Sequence, residues 1–190
     1  TIDLALCMAT GLPWFGREAN EGRVLLLAGE GVHQYGRRFD AWQEARGLNF
    51  DAEDKENIRV RNGTVDLHGA GPAFDRLLAK VAEWKPRILV ADTLQRSAGA
   101  GDQNSATDMA VLRERMAQLQ QAAGGDCTTI FVAHTTKNNG DTRGSSSIED
   151  DADFVLSCTR SEMKLDMGVE KEKDAPDGYS IDLAARVVGK

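Results

Sequence analysis

The sequence has few prolines, few cysteines and no long apolar run, and each of these shortages excludes a class of protein. Four prolines in 190 residues, with 41% apolar residues, argue against a disordered chain. The three cysteines, Cys7, Cys127 and Cys158, lack CxxC spacing, which predicts reduced core thiols rather than a zinc site or disulfides. No stretch approaches the roughly 18 apolar residues that a membrane-spanning helix needs, so we expect a cytoplasmic protein with no membrane partner.

An excess of positive charge is also absent. The formal net charge is -7, which argues against a surface coated in basic residues for general nucleic-acid binding. A polyanionic partner would therefore need a local basic patch.

What the sequence does contain is an alternation of buried runs and helical faces. Apolar residues recur three to four apart over 31–46 and 71–85, and again in a long helix that ends at Gln121. The apolar runs of VLLLAG, ILVAD and TIFVAH are typical of buried strands, and the acidic stretch DAEDKE is expected to be a loop. The last third alternates polar and apolar residues, as antiparallel or edge strands do. The pattern predicts an α/β fold: one domain over 1–190, with a mostly parallel sheet flanked by helices and antiparallel strands at its C-terminal end.

The first residues, TIDLALCMATG, place apolar side chains at helical spacing from the first turn, with Gly11 as a stop signal. The chain therefore begins inside a predicted helix. Because a domain rarely begins in this way, we expect that the domain is truncated before this helix and that a strand and a loop are missing.

Polar side chains follow three of the predicted strands at the point where each strand ends. Glu30 follows VLLLAG, Asp92 follows RILVA, and His134 follows TIFVA. In an open α/β sheet, ligands bind in the crevice beyond the carboxyl ends of the strands, so a shared functional site is the preferred interpretation. Each residue also has a structural interpretation: Glu30 and Asp92 as caps of the next helix, and His134 as a hydrogen-bonded interior histidine.

The run ILVAD, four apolar residues followed by an aspartate, has the form of a Walker B strand, in which the carboxylate holds Mg²⁺ through its water shell. Together with the segments DLALCMATGLPWFG, VLLLAGEG, IFVAHTTK, RGSSSIEDDADFVL and VEKEKDAPDG, it makes the sequence resemble the RecA-like P-loop ATPases. Within that group, the segments are similar to those of hexameric replicative helicases and plasmid RepA-type helicases. They occur in the family's order and cover nearly the whole chain.

The resemblance implies an ATP and Mg²⁺ site with specific residues. Glu30 takes the place of the catalytic base that deprotonates the attacking water, and Asp92 takes that of the magnesium ligand. His134 matches the catalytic sensor of the γ-phosphate, and Thr93 and Thr135 match nucleotide-contacting positions. For a threonine such as Thr135, an ordinary turn hydroxyl is an equally good interpretation.

The resemblance also implies single-stranded DNA as a partner and a homo-oligomeric ring, a hexamer, as the complete assembly. Arg96, Lys137 and Arg143 lie in the two loops that match the DNA-binding channel loops of such rings, and Arg143 also matches a catalytic arginine finger. Lys171 and Lys173, in VEKEKD, match the catalytic basic pair that reaches into the ATP site of the neighbouring subunit. The alternatives are solvated surface loops for the first three residues and a solvated strand edge for the lysines.

One motif of the family is missing. The phosphate loop GxxxxGK[ST] does not occur in these residues, and TIDLALCMATG resembles the helix that follows that loop. The chain by itself is therefore expected to bind ATP poorly and to be inactive. Two hypotheses of function stay open. One is an ATP-driven helicase motor that acts on single-stranded DNA in replication of a phage, plasmid or similar element; the other is a non-catalytic RecA-like module that binds DNA or protein.

Overall fold

The structure is a computed structural model that describes residues 1–63, 65–69, 71–102, 105–134, 147–174 and 178–184. It contains two compact units, Thr1–Ser145 and Ser146–Lys190, each with its own sheet. The single domain over 1–190 that the sequence pattern favours stays a prediction.

The first unit alternates strands and helices. Its strands are β1 (Val24–Ala28), β2 (Ile58–Asn62), β3 (Ile88–Asp92) and β4 (Thr128–Val132). Its helices are α1 (Ile2–Thr10), α2 (Tyr35–Arg46), α3 (Ala52–Glu56), α4 (Pro72–Trp84), α5 (Leu94–Ser97) and α6 (Ala106–Ala122), with a 3-10 turn at Val32–Gln34. These elements confirm the predicted α/β fold class.

The four strands form one parallel sheet in the order β2-β1-β3-β4. β1 is buried throughout and β3 is buried up to its last residue, as the continuous apolar runs predict. Ala28 pairs with both Asn62 and Asp92, and Asp92 pairs with Val132. The four strands therefore end in one row, which forms a single carboxyl edge of the sheet.

Helices cover both faces of this sheet. On one face, α1 contacts β1 and α2, and the buried core there contains Ala5, Ala9, Val24, Leu26, Ala28, Tyr35, Ile88 and Val90. Side chains alternate along a strand, so the buried Leu25, Leu27 and Leu89 point to the other face. α4 and α6 contact each other and bury the apolar faces that the helical spacing predicts.

Asp3 joins α1 to α2 and to the turn that follows α1. Its Oδ1 accepts hydrogen bonds from Trp42 Nε1 at 2.7 Å and from an Arg46 guanidinium nitrogen at 2.8 Å. Its Oδ2 accepts a hydrogen bond from Trp14 Nε1 at 3.1 Å. The Arg46 guanidinium also lies over the Trp42 ring, 4.3 Å from the ring centroid. One carboxylate therefore fixes three side chains around the start of α1.

Replacing Asp3 with alanine is expected to lower the free energy of unfolding by about 2 kcal/mol, because it leaves indole and guanidinium donors without their acceptor. Urea unfolding followed by tryptophan fluorescence measures the change. Asp40→Ala is the matched control, since Asp40 is an exposed carboxylate on α2. Equal unfolding free energies for the two variants would contradict the structural role of Asp3.

Three local features differ from the predictions. The stretch 51–56 contains α3 instead of a loop, because Asp51 and Asp54 form a capping box in which each carboxylate accepts the other's backbone N–H. β4 is half-buried rather than buried, since it lies at the edge of the described four-stranded sheet. Cys7 and Cys127 are buried as expected, whereas Cys158 is exposed.

The second unit contains a short helix, α7 (Ser147–Asp151), and the antiparallel strands β5 (Phe154–Ser161), β6 (Lys164–Glu172) and β7 (Ser180–Ala184), in the order β5-β6-β7. Met167 and Val169, two residues apart on β6, are both buried, which matches the alternation in the sequence. The prediction of antiparallel strands at the C-terminal end is confirmed, and these strands form a sheet of their own. Across the ranges that the structure covers, no helix combines the length and apolar character needed to cross a bilayer.

Candidate functional site

The carboxyl edge of the parallel sheet brings three of the predicted site residues to the same side of the unit. The chain passes from β1 to β2 on one side of β1, and then to β3 on the other side of β1. This arrangement is a topological switch point, where a ligand crevice opens beyond the strand ends of an open α/β sheet. Glu30 follows β1 and Asp92 ends β3, so the two carboxylates flank the switch point. His134 follows β4, the next strand in the sheet.

Glu30 is partly exposed and ion-paired. Its Oε1 accepts a hydrogen bond from Arg96 Nε at 2.9 Å, and the two side chains are 49% and 58% exposed. Arg96 lies on α5, which follows β3 directly. Gly29 leaves the room for this contact, because a Cβ there would lie 2.6 Å from Arg96 Cβ and 3.1 Å from the Asp92 carbonyl oxygen. Gly31 has a left-handed φ of 62°, which suits glycine and starts the 3-10 turn.

Asp92 is half-buried and accepts hydrogen bonds from the segment that follows β1. The Gly29 N–H donates to the Asp92 carbonyl oxygen at 2.6 Å, and the Tyr35 hydroxyl donates to Asp92 Oδ2 at 3.4 Å. Tyr35 is 4% exposed and belongs to the core cluster under α1 and α2. Burial, followed by the charge of Asp92 and by this hydrogen bond, raises the pKa of Tyr35 to about 12. The tyrosine hydroxyl is therefore protonated at neutral pH and acts as the donor.

The end of β3 fits the magnesium ion of a bound nucleotide. Asp92 offers carboxylate oxygen, and Thr93 has a buried hydroxyl oxygen that finds no hydrogen-bond partner among the described residues. Mg²⁺ is usually held by one or two carboxylates together with water and substrate phosphates. The described part of the chain contains no group of three or more His, Cys, Asp or Glu side chains suited to an all-protein metal site. Asp92 and Thr93 would hold the ion, which neutralises charge on the phosphates when it is bound.

His134 lies two residues beyond β4 and is exposed. It shares the carboxyl edge of the sheet with the two carboxylates, as its position after a predicted strand indicates. Thr135, Lys137 and Arg143, the other residues predicted to act from the following loop, lie outside the described residues. Their roles stay predictions.

Both lysines of the VEKEKD segment contact groups of their own unit. Lys171 Nζ donates to the carbonyl oxygens of Glu149 and Asp150, at 2.9 and 2.6 Å, in the last turn of α7, where a cation is favourable. Lys173 Nζ pairs with the exposed Asp153 carboxylate. Their hydrogen bond raises the pKa of Lys173 and lowers the pKa of Asp153 from the usual values. These contacts lie within the second unit, and action on a neighbouring subunit stays a prediction.

Two contacts at the carboxyl edge do not follow from any sequence pattern. The Tyr35–Asp92 and Arg96–Glu30 partners are 57 and 66 residues apart in the chain. Tyr35 occurs at helical spacing with other apolar residues, which predicts a core position and says nothing about its hydroxyl. The sequence signal for a role beyond packing is the hydroxyl group of this predicted core residue, since a buried tyrosine usually needs a hydrogen-bond partner.

Comparison with known proteins assigns the part of the chain that contains the parallel sheet to a family. Residues 1–140 match a family model described as the AAA domain, and the match includes all four strands of the parallel sheet. A comparison with curated proteins finds no match. Since residues 1–140 make up well over half of the 190-residue chain, the chain belongs to the AAA domain family, whose P-loop NTPase-like fold implies nucleotide binding and an ATPase-type activity.

Proposed function

We propose that the full-length gene product is an ATP-driven motor of the RecA-like helicase type, which acts on single-stranded DNA in replication of a phage, plasmid or similar element. The observation that supports this function most directly is the Glu30–Arg96 contact at the switch point. It joins the residue proposed as catalytic base to a residue proposed to contact DNA. A homo-oligomeric ring, such as a hexamer, would bring several copies of Arg96 to one strand, so a chain of net charge -7 can still bind DNA.

In the proposed reaction, Glu30 accepts a proton from the water that attacks the γ-phosphate. Its Oε1 accepts a hydrogen bond from Arg96 in this structure, so the ion pair restrains the carboxylate until it opens. An exposed ion pair contributes only about 0–1 kcal/mol, and a DNA phosphate is a good competing partner for a guanidinium group. Binding of DNA to Arg96 is therefore expected to free the base. His134, exposed after the neighbouring strand, is proposed to contact the transferred phosphate.

The test of this function is ATP hydrolysis by the full-length gene product, measured with and without DNA. We expect single-stranded DNA to stimulate hydrolysis and duplex DNA of the same length to have a much smaller effect. Binding of single-stranded DNA without any ATP hydrolysis would instead favour the non-catalytic RecA-like module.

Arg96→Ala is expected to remove most of the stimulation by single-stranded DNA. Each phosphate contact that is lost also reduces the slope of log K against log salt concentration by about 0.7, where K is the association constant for single-stranded DNA. Fluorescence anisotropy with a labelled oligothymidine measures this slope. Arg87→Ala is the matched control, because Arg87 lies directly before β3, at the end of the strand opposite to Arg96. Its side chain is 49% exposed and pairs with Asp126. If Arg96→Ala and Arg87→Ala both keep the parental stimulation and salt dependence, the proposed link between Arg96 and DNA fails.

A further inference from the structure

We infer that Tyr35 is a positioning residue for the magnesium ligand: its hydroxyl fixes the Asp92 carboxylate through Oδ2 and leaves Oδ1 for the metal. The inference rests on the proposed function, because it concerns the same ATP site. Neither the sequence pattern nor the resemblance assigns Tyr35 a role there.

The Tyr35 ring is held firmly in place beside Asp92. It is 4% exposed and packs in the core cluster formed by α1, β1 and β3. The Phe39 ring lies edge-on to it, with ring centroids 6.1 Å apart, and the Arg38 guanidinium lies 5.9 Å from the Tyr35 ring centroid. A close-packed ring keeps its orientation. The position of its hydroxyl group, the hydrogen-bond donor, is therefore fixed as well.

The segment from Gly29 to Tyr35 wraps around Asp92. It begins with the Gly29 N–H bound to the Asp92 carbonyl oxygen, turns at Gly31, and ends with the Tyr35 hydroxyl on the Asp92 carboxylate. Glu30 lies between these two contacts. One short segment therefore carries the proposed base and also holds the metal ligand, so the positions of the two carboxylates are linked.

Core packing alone does not require a tyrosine at this position. A phenylalanine has nearly the same shape, whereas a buried hydroxyl needs a hydrogen-bond partner. The partner is the half-buried carboxylate at the switch point, 3.4 Å away. A ligand side chain has to be held close to its working geometry, and neighbouring hydrogen bonds normally provide that restraint. The hydroxyl of Tyr35 lies where it can provide this restraint for Asp92.

The test measures how much Mg²⁺ strengthens nucleotide binding to the full-length gene product. The probe is a fluorescent ATP analogue, titrated once in Mg²⁺ and once in EDTA, and the ratio of the two dissociation constants is called the magnesium benefit. Tyr35→Phe is expected to lower the magnesium benefit by about 3- to 10-fold and to leave the affinity in EDTA unchanged, as loss of one hydrogen bond predicts. An unchanged magnesium benefit overturns the inference.

Two further variants separate this inference from the proposed function. Asp92→Asn is expected to remove most of the magnesium benefit; if it does not, the proposed magnesium site is wrong and the inference falls with it. Phe39→Leu removes the neighbouring ring and no hydroxyl, so it is expected to lower the melting temperature while the magnesium benefit is kept. If Phe39→Leu lowers the magnesium benefit as much as Tyr35→Phe does, the effect comes from packing and the positioning role is refuted.

Discussion

Glu30→Gln is expected to lower the rate of ATP hydrolysis by the full-length gene product about a hundredfold or more, because a glutamine amide cannot accept a proton from the attacking water. Nucleotide binding is expected to be kept, since the substitution removes a group that acts mainly in the transition state. Glutamine has the size of glutamate and keeps an Oε1 acceptor, so Arg96 Nε can still donate its hydrogen bond. The close contact of Gly29 with Arg96 is unaffected.

Steady-state hydrolysis gives kcat for the Glu30→Gln variant, and a separate titration gives its nucleotide affinity. Glu44→Gln is the matched control, because Glu44 is an exposed glutamate near the far end of α2. If Glu30→Gln hydrolyses ATP at the parental rate, Glu30 is not the catalytic base and has only a structural role in the turn before α2. A loss of nucleotide affinity equal to the loss of turnover would mean that the residue supports binding instead.

The sequence predicts well those parts of the site that depend on local burial. The runs VLLLA and ILVA are apolar at every position, and the corresponding strands are buried at every one of these positions. A polar residue that follows such a run has to leave the core, because an ionised carboxylate is costly to bury. The positions of Glu30 and Asp92 at the carboxyl edge of the sheet could therefore be predicted from the sequence.

Strand order limits what more can be predicted. β1 lies between β2 and β3, but apolar runs of similar length carry no information about which of them become neighbours. The Glu30–Arg96 and Tyr35–Asp92 contacts both require β1 and β3 to be adjacent. These contacts connect the carboxylates to an exposed cation and to a buried hydroxyl, so the chemical environment of the site was not predictable from the sequence.

The lysine pair of the second unit is a different case, because its proposed role comes from the resemblance alone. The family match covers residues 1–140 and does not reach Lys171 or Lys173. The structure adds that each Nζ is bound by oxygen atoms of the same unit. A catalytic role in the neighbouring subunit therefore needs a test that separates it from these contacts.

Lys173→Ala is expected to lower ATP hydrolysis by the assembled full-length protein about a hundredfold, because a cation placed on the transferring phosphate stabilises charge that develops in the transition state. Asp153→Asn is the matched control, since it breaks the same ion pair from the other side and keeps the lysine. Lys171 is a poor first target, because its Nζ also binds the carbonyl oxygens in the last turn of α7. Equal activity of Lys173→Ala and Asp153→Asn would contradict a catalytic role.

Mixed assemblies test whether Lys173 acts between subunits. A Glu30→Gln subunit keeps its lysine and a Lys173→Ala subunit keeps its base, so an interface formed by one of each can contain both groups. In a random one-to-one mixture, about a quarter of the head-to-tail interfaces of a ring have this composition, and hydrolysis is expected to recover toward that fraction of the parental rate. Native mass spectrometry verifies that mixed rings are present. If confirmed mixed rings are no more active than the two variants measured separately, Lys173 acts within its own unit, as the partner of Asp153.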